Sequence, residues 1–207
     1  LFQPLLLDVA SEENRNNTII CADATEIGWV DLFNKHFELD RESSFVKEIT
    51  WYLVKSFFFL TPFPFPNYFK SFLLRLFGAK IGKGLIIKPR VNIHFPWQLE
   101  MGDHVWIGEE VFILNFEKIS IGNNVCISQR AFLCGGNHNY KVSTMPYKNG
   151  KIILRDGCWV GANVFIAPNV EIGIDTVVSA SSMVNRNLES NSIYAGNPAI
   201  YIKQRWE

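Results

Sequence analysis

The sequence predicts a mainly β protein, a parallel β-solenoid of about five coils preceded by a helical hairpin. Three observations predict it. Aliphatic residues recur every six positions: at Ile81, Ile87 and Ile93, at Met101, Ile107 and Ile113, at Ile121, Ile127 and Leu133, and from Leu154 through Val160, Ile166, Ile172, Val178 and Val184. A small or β-branched residue often stands four places after the leading one, as at Val105, Val125, Cys158 and Ser182, and glycine often follows it directly. A helix repeats at about 3.6 residues and a strand at 2, so a period of six describes short strands separated by tight turns. Third, the fifteen leading residues group in threes. Three hexads close one triangular coil, so fifteen make five, a stack roughly 24 Å long at the usual strand spacing of about 4.8 Å.

In chain order, residues 1–42 are the least patterned: 11–17 is polar and reads as loop, and 29–37 fits a short helix. Residues 43–80 form an aromatic-rich unit. From Ser43 to Leu60 apolar side chains cover most of a helix, with Lys47, Glu48 and Lys55 as a narrow polar stripe. The run Pro62-Phe63-Pro64-Phe65-Pro66 is extended. A second helix follows from Tyr68 to Phe77, capped by Asn67 and stopped by Gly78. The longest charge-free run, 56–69, holds 14 residues and three prolines, against about 20 apolar residues needed to cross a bilayer. Two readings of 45–77 stand side by side. The hairpin covers the solenoid end or a partner subunit, or it lies on a membrane surface.

The solenoid domain spans 81–207. Its beat slips by two residues after Ile93 and again after Ile113, which small bulges at corners absorb. After Leu133 the next leading residue comes 21 positions on, so about 15 residues leave the coil and return, with 137–152 as the excursion. Long departures from a regular scaffold are where function concentrates.

Composition narrows the function classes. Twenty basic and twenty acidic residues cancel, which argues against a nucleic-acid partner. Cys21, Cys126, Cys134 and Cys158 show no CxxC spacing and read as buried free thiols in a reducing compartment. The N-terminal stretch lacks the basic-then-apolar pattern of a secretory signal, so a cytoplasmic location is the expectation.

His138 lies at the root of the excursion, flanked by Asn137 and Asn139 and preceded by two glycines. A neutral imidazole there takes a proton from an attacking hydroxyl or amine, since its ordinary pKa lies near working pH; a satisfied loop histidine is the equal alternative. His94 and His104 fall on earlier coils and no second ligand stands near His138, so no metal is expected. No Gly-x-Ser-x-Gly, P-loop or Gly-x-Gly-x-x-Gly motif is present.

The hexads, the segment FLCGGNHNY (132–140), DGCWVGANVFIAPNVEIG (156–173) and IYAGNPA (193–199) resemble those of the hexapeptide-repeat acetyltransferases. With RLFGAKIGKG (75–84), PWQLEMGDHVWIGE (96–109) and IGNNVCISQ (121–129), the resemblance is to the colanic acid biosynthesis acetyltransferase-like branch and covers residues 42–205. It implies a left-handed parallel β-helix, against the right-handed crossover rule. It also implies a homotrimer that binds acetyl-CoA in a groove between subunits and acetylates a saccharide acceptor, here a sugar hydroxyl of a surface polysaccharide or its precursor.

By the same resemblance His138 is the general base; Asn115, Asn137 and Asn139 face the acceptor; and the Ala162 N–H holds the oxyanion. Trp159, Ala162 and Ala180 flank the pantetheine arm, and Asn185, Arg186 and Lys203 meet the nucleotide end. Four departures stand out. Asn139 replaces the family's aspartate, so a backbone carbonyl or a partner subunit must orient the imidazole. Ser179 and Ser181 replace glycines and narrow the pantetheine channel, and Ile200 replaces a basic residue, leaving Lys203 and Arg205 to meet the phosphates. Three rivals remain: N-acetylation of an amino sugar, a catalytically silent binding or assembly module, and a metal-dependent hydratase on the same scaffold.

Overall fold

A computed structural model describes Val30 and residues 42–206. Apart from Val30, the helix expected over 29–37, the polar stretch 11–17, Cys21 and His36 lie outside the described residues. The hexad rule holds from the first coil to the last. Leading residues such as Ile87, Ile107, Ile127, Val160 and Val178 point inward and are almost wholly buried, and so are the satellites Val105, Val125, Val164 and Thr176. Each such aliphatic side chain contributes about 1.5–3 kcal/mol by leaving water. The interior is therefore a continuous aliphatic column, and the residue between two inward positions always faces out.

The strands form three parallel faces. Face 1 stacks β1 (Lys80–Ile81), β4 (Leu99–Met101), β7 (Ile119–Ile121), β10 (Ile152–Leu154) and β13 (Val170–Ile172). Face 2 stacks β2 (Ile86–Ile87), β5 (Trp106–Ile107), β8 (Cys126–Ile127), β11 (Trp159–Val160) and β14 (Val177–Val178). Face 3 stacks β3 (Asn92–Ile93), β6 (Phe112–Leu114), β9 (Phe132–Cys134), β12 (Phe165–Ile166) and β15 (Met183–Val184). The result is a left-handed parallel β-helix of five complete coils. A sixth coil opens with β16 (Ser192–Ala195), which is closed by the antiparallel β17 (Ile200–Gln204).

Both slips and the long excursion fall on the same edge, where face 3 turns into face 1. A 3₁₀ turn at Pro96–Gln98 fills the first, residues 115–118 the second, and 135–151 the third. The other two edges turn in the same way coil after coil.

The helices α1 (Phe45–Phe58) and α2 (Asn67–Leu76) close the first coil. First-coil amides donate toward the second coil, as Gly82 does to Met101 and Ile86 to Val105. This leaves the carbonyls of Ile81, Ile87 and Ile93 without a neighbouring strand, although Lys83 O and Pro89 O accept from the second coil. Buried polar backbone needs partners, and the helices supply donors. Trp51 Nε1 meets Ile93 O at 3.1 Å, Lys70 Nζ meets Ile87 O and Lys88 O at 3.2 and 3.3 Å, and Arg75 meets Ile81 O and Gly82 O. Lys70 is fully buried, and that burial lowers its pKa.

One capping expectation is corrected. Asn67 does not cap α2; its Oδ1 accepts from Ile87 N at 3.0 Å, and Pro66 stands at the cap without a side-chain bond. A docking bond between helix and coil has displaced the local one. Gly78 does end the hairpin, at φ 101°, a left-handed value that costs glycine little.

Candidate active site

The excursion is a short hairpin rather than an open loop. Gly150 N donates to Gly135 O at 2.9 Å, Lys148 N to Asn137 O at 2.8 Å and Asn139 N to Pro146 O at 2.8 Å, so its two arms run antiparallel. Gly135 ties the base to the coil below by donating to Leu114 O at 2.8 Å. A Cβ at 135 would stand 2.8 Å from that same oxygen, so only glycine fits.

His138 sits on the first arm, opposite Tyr147 on the second, and the two rings stack at 4.9 Å and 27°. His138 Nδ1 lies 2.7 Å from Met145 O. A carbonyl only accepts, so Nδ1 carries the hydrogen and the lone pair belongs to Nε2. Met145 has φ 47°, and its own N–H donates to Val142 O at 2.9 Å. A left-handed turn at the second arm thus aims a backbone carbonyl at the imidazole. This supplies the orientation that Asn139, in place of an aspartate, cannot; Asn139 Oδ1 instead accepts from Lys141 N at 3.3 Å. Asn137 Oδ1 accepts from the His138 N–H at 2.8 Å, which fixes the arm just before the histidine.

Asn115 corrects an expectation. It is fully buried, and its amide clamps Phe95, with Oδ1 accepting from Phe95 N at 2.9 Å and Nδ2 donating to Phe95 O. The side chain bridges two coils at the bulged edge, where no strand ladder exists. In this arrangement it offers no surface to a sugar.

Beyond Tyr147 an aromatic series continues along the edge, through Phe116 to His94 and Phe95, with Trp97 stacked on Phe95 at 4.8 Å and 22°. Helix α1 borders this series across an open pocket of about 430 Å³ whose polar lining includes Glu48 and Lys55. Of this series only His94 was weighed from the sequence, and as a metal ligand rather than as part of an aromatic row. The signal was there, since Phe95, Trp97, Phe116 and Tyr147 all fall in or beside the register slips.

A second depression, of about 440 Å³, runs along the edge where face 2 turns into face 3. Trp159, Gly161, Ala162, Ser179 and Ala180 line it together with Ser128 and Gln129. Trp159 is half-exposed and held by an Nε1–H bond to Ser128 Oγ at 3.0 Å. Ser181 takes φ 60° at the corner and donates its N–H to Ala162 O at 2.8 Å. The Ala162 N–H makes no hydrogen bond among the described residues. Trp159, Ala162 and Ala180 therefore share one groove, and His138 lies on the opposite edge of face 3. Six residues separate successive corners, so at most about 20 Å of strand parts the two edges.

Asn185 and Lys203 are exposed, and Arg186 reaches Ala199 O at 3.1 Å. Arg205 departs from expectation. It is committed to the fold, donating to Gly157 O at 2.8 Å and Asp175 O at 3.3 Å and lying over Trp206. A guanidinium pointed into carbonyls of the fourth and fifth coils is not placed for a phosphate.

Cys126, Cys134 and Cys158 are free thiols, and burial pushes Cys158 up to about 11. No group of three His, Cys, Asp or Glu side chains converges among the described residues. His94 lies against Phe95 with its ring tilted, centroids 4.3 Å apart at 51°, and His104 is exposed at a corner with φ 58°.

Solved structures with this architecture include a hexapeptide-repeat acetyltransferase. That protein, from Vibrio cholerae O1 biovar eltor and complexed with acetyl coenzyme A, superposes with a TM-score of 0.71 at 22% identity, covering 78% of this chain and 88% of that one. A galactoside acetyltransferase in complex with coenzyme A gives 0.70 at 21% identity over 77% and 81% of the two chains. No family model matches the chain. The colanic acid biosynthesis acetyltransferase WcaF of Escherichia coli (strain K12) is 38% identical over 167 residues, 81% of this chain and 92% of WcaF. The chain belongs to this family of colanic acid biosynthesis acetyltransferases of the hexapeptide-repeat type, and it is an acetyltransferase.

Proposed function

We propose that the protein moves an acetyl group from acetyl-CoA to a hydroxyl of a sugar in a surface polysaccharide or in its precursor. The observation that carries this reading is His138, whose ring is fixed by the Met145 carbonyl so that Nε2 is the basic nitrogen. Nε2 takes the proton of the acceptor hydroxyl as its oxygen bonds to the thioester carbon. The C–S bond then breaks, and the proton passes to the departing thiolate. The Ala162 N–H holds the transient oxyanion; such a preorganised donor is worth about 3 kcal/mol. The groove between Trp159 and Ala180 suits the thin pantetheine arm, and Asn185, Arg186 and Lys203 take the anionic nucleotide end. Asn137 and Asn139 keep their Nδ2 donors for the acceptor.

Histidine and groove lie on opposite edges of face 3, so one chain does not join them. A homotrimer does, with the His138 edge of one copy against the groove edge of the next. Outward residues support this assembly. Face 3 presents Phe112, Phe132 and Phe165, whereas face 1 presents Lys80, Glu100, Ser120, Ile153 and Glu171, polar but for the isoleucine.

The test mixes two inactive variants. His138→Ala removes the base, and Ala180→Trp fills the groove. Each alone releases no CoA thiol in the presence of acetyl-CoA and a panel of sugars, nucleotide-sugars and lipid-linked saccharides. After co-refolding at equal amounts, about a quarter of the wild-type rate returns, because one interface in four draws both intact halves from different copies. No recovery means that the site is not shared between chains. The panel also separates hydroxyl acceptors from amino sugars.

A further inference from the structure

We propose that the outer face of the N-terminal helical hairpin docks on an anionic lipid bilayer. The helices are inverted relative to an ordinary surface helix. Their buried lysines point inward, Lys70 onto first-coil carbonyls and Lys55 into the pocket beneath α1, while many of their large apolar side chains point outward. On α1, Val46, Ile49, Leu53 and Phe57 follow a spacing of three, four and four, which puts them on one line of the helix, and all are exposed. On α2, Tyr68, Phe72 and Leu76 repeat every four residues and are exposed as well. Phe63, in the proline-rich link, adds to them at 59% exposure.

The inward half of this pattern is explained by the carbonyl row of the open coil. The outward half is not. Surface helices normally turn polar residues to water, and apolar patches of this size mark a contact site.

Charge selects the occupant. Residues 43–90 carry six lysines and two arginines against Glu48 alone, in a chain whose net charge is zero. With Lys55 and Lys70 buried, Lys47, Arg75, Lys80, Lys83, Lys88 and Arg90 remain at least partly exposed. Among the described residues two of these are ion-paired, Lys80 with Glu100 and Arg90 with Glu110. Each of those acids also holds a second cation, Lys118 and Arg130, so both triads stay positive. An exposed apolar face on a segment with excess positive charge complements anionic headgroups over acyl chains. A second copy would bring like charge against like. No described helix is long and apolar enough to cross a membrane. The 14 residues of α1 extend about 21 Å, against a hydrocarbon core of about 30 Å, so the hairpin lies in the interface plane. Nothing here rests on acetyl transfer.

The experiment is flotation of the full chain with phosphatidylcholine vesicles, with and without about 30% phosphatidylglycerol. Wild-type protein floats with the anionic vesicles, and added salt weakens the association. The triple variant Leu53→Ser, Phe57→Ser, Phe72→Ser loses at least about tenfold in partitioning, with its thermal unfolding unchanged. Wild-type protein that stays unbound on anionic vesicles overturns the proposal, whatever the variant does. Equal flotation of variant and wild type also overturns it. Failure to float together with a smaller oligomer in the variant assigns the face to contacts between copies instead.

Discussion

Two edges of the same prism behave in opposite ways. Where face 1 turns into face 2, one bond recurs up the stack: Lys83 N donates to Asp103 Oδ1, Asp103 N to Asn123 Oδ1 and Asn123 N to Asp156 Oδ1, each at 2.8 Å. Where face 3 turns into face 1, the first three turns all differ: a 3₁₀ turn, a four-residue bulge clamped by Asn115, and a hairpin bearing His138. The repeating edge works as a ladder whose rungs stabilise one another. The other gives up that regularity and gains the aromatic series, the pocket beneath α1 and the His138 hairpin. Repetition holds the scaffold, and its loss at one edge makes room for side chains that no ladder position could hold.

The sharpest way to test that contrast is to substitute on each edge and ask which property fails. His138→Ala loses about 10²–10⁴ in turnover with no change in melting temperature or oligomeric mass, checked by single-turnover kinetics and light scattering. Unchanged turnover would remove His138 from the mechanism. Ile172→Ala, in the aliphatic column behind face 1, does the reverse. It destabilises the fold by about 3 kcal/mol, since a fully buried branched side chain leaves a cavity. The kcat/KM measured well below the melting transition stays within about twofold of wild type.

The column was the most legible part of the sequence, because inward positions in a solenoid tolerate little but aliphatic and small residues. His138 stood out as a candidate as well, since a histidine between asparagines after two glycines stands at the one large break in period. That the three breaks share an edge was available from counting, as each follows the third hexad of its coil. Other features were not legible. The Met145 carbonyl depends on a backbone angle, and methionine rarely signals a left-handed turn. Asn115 reads equally as a ligand or as a bracket until its burial is known. The inward lysines follow from carbonyls exposed at the open coil, a demand visible only once strands are stacked.

Met145 offers a finer cut within the irregular edge. Met145→Val asks a β-branched residue to hold φ near 47°, which it does poorly. The carbonyl swings away from Nδ1, and turnover falls about tenfold with the pH–rate profile displaced. Met145→Gly keeps the angle at little cost and stays near wild type. Equal losses in both variants would show that the methionine side chain matters rather than its carbonyl.

The smallest effect separates the two regions by pH. Hydrogen bonds from Lys118 and then Lys80 hold Glu100 below the usual carboxylate range, and Arg130 with Arg90 does the same for Glu110. A carboxylate with a depressed pKa in the folded state adds stability above its ordinary range near 4.5. That contribution is lost as pH falls through the lower, folded value. These rows tie successive coils to one another through side-chain charges, whereas the His138 hairpin arms are joined by backbone bonds that do not titrate. Acid therefore loosens the stack and leaves the hairpin pairing alone. Glu100→Gln lowers the melting temperature at neutral pH by no more than about 3 °C, because exposed ion pairs are worth little. It also flattens the fall in stability between about pH 5 and pH 3. Calorimetry at low and high salt checks both, and the difference between variant and wild type shrinks at high salt because these charges face water.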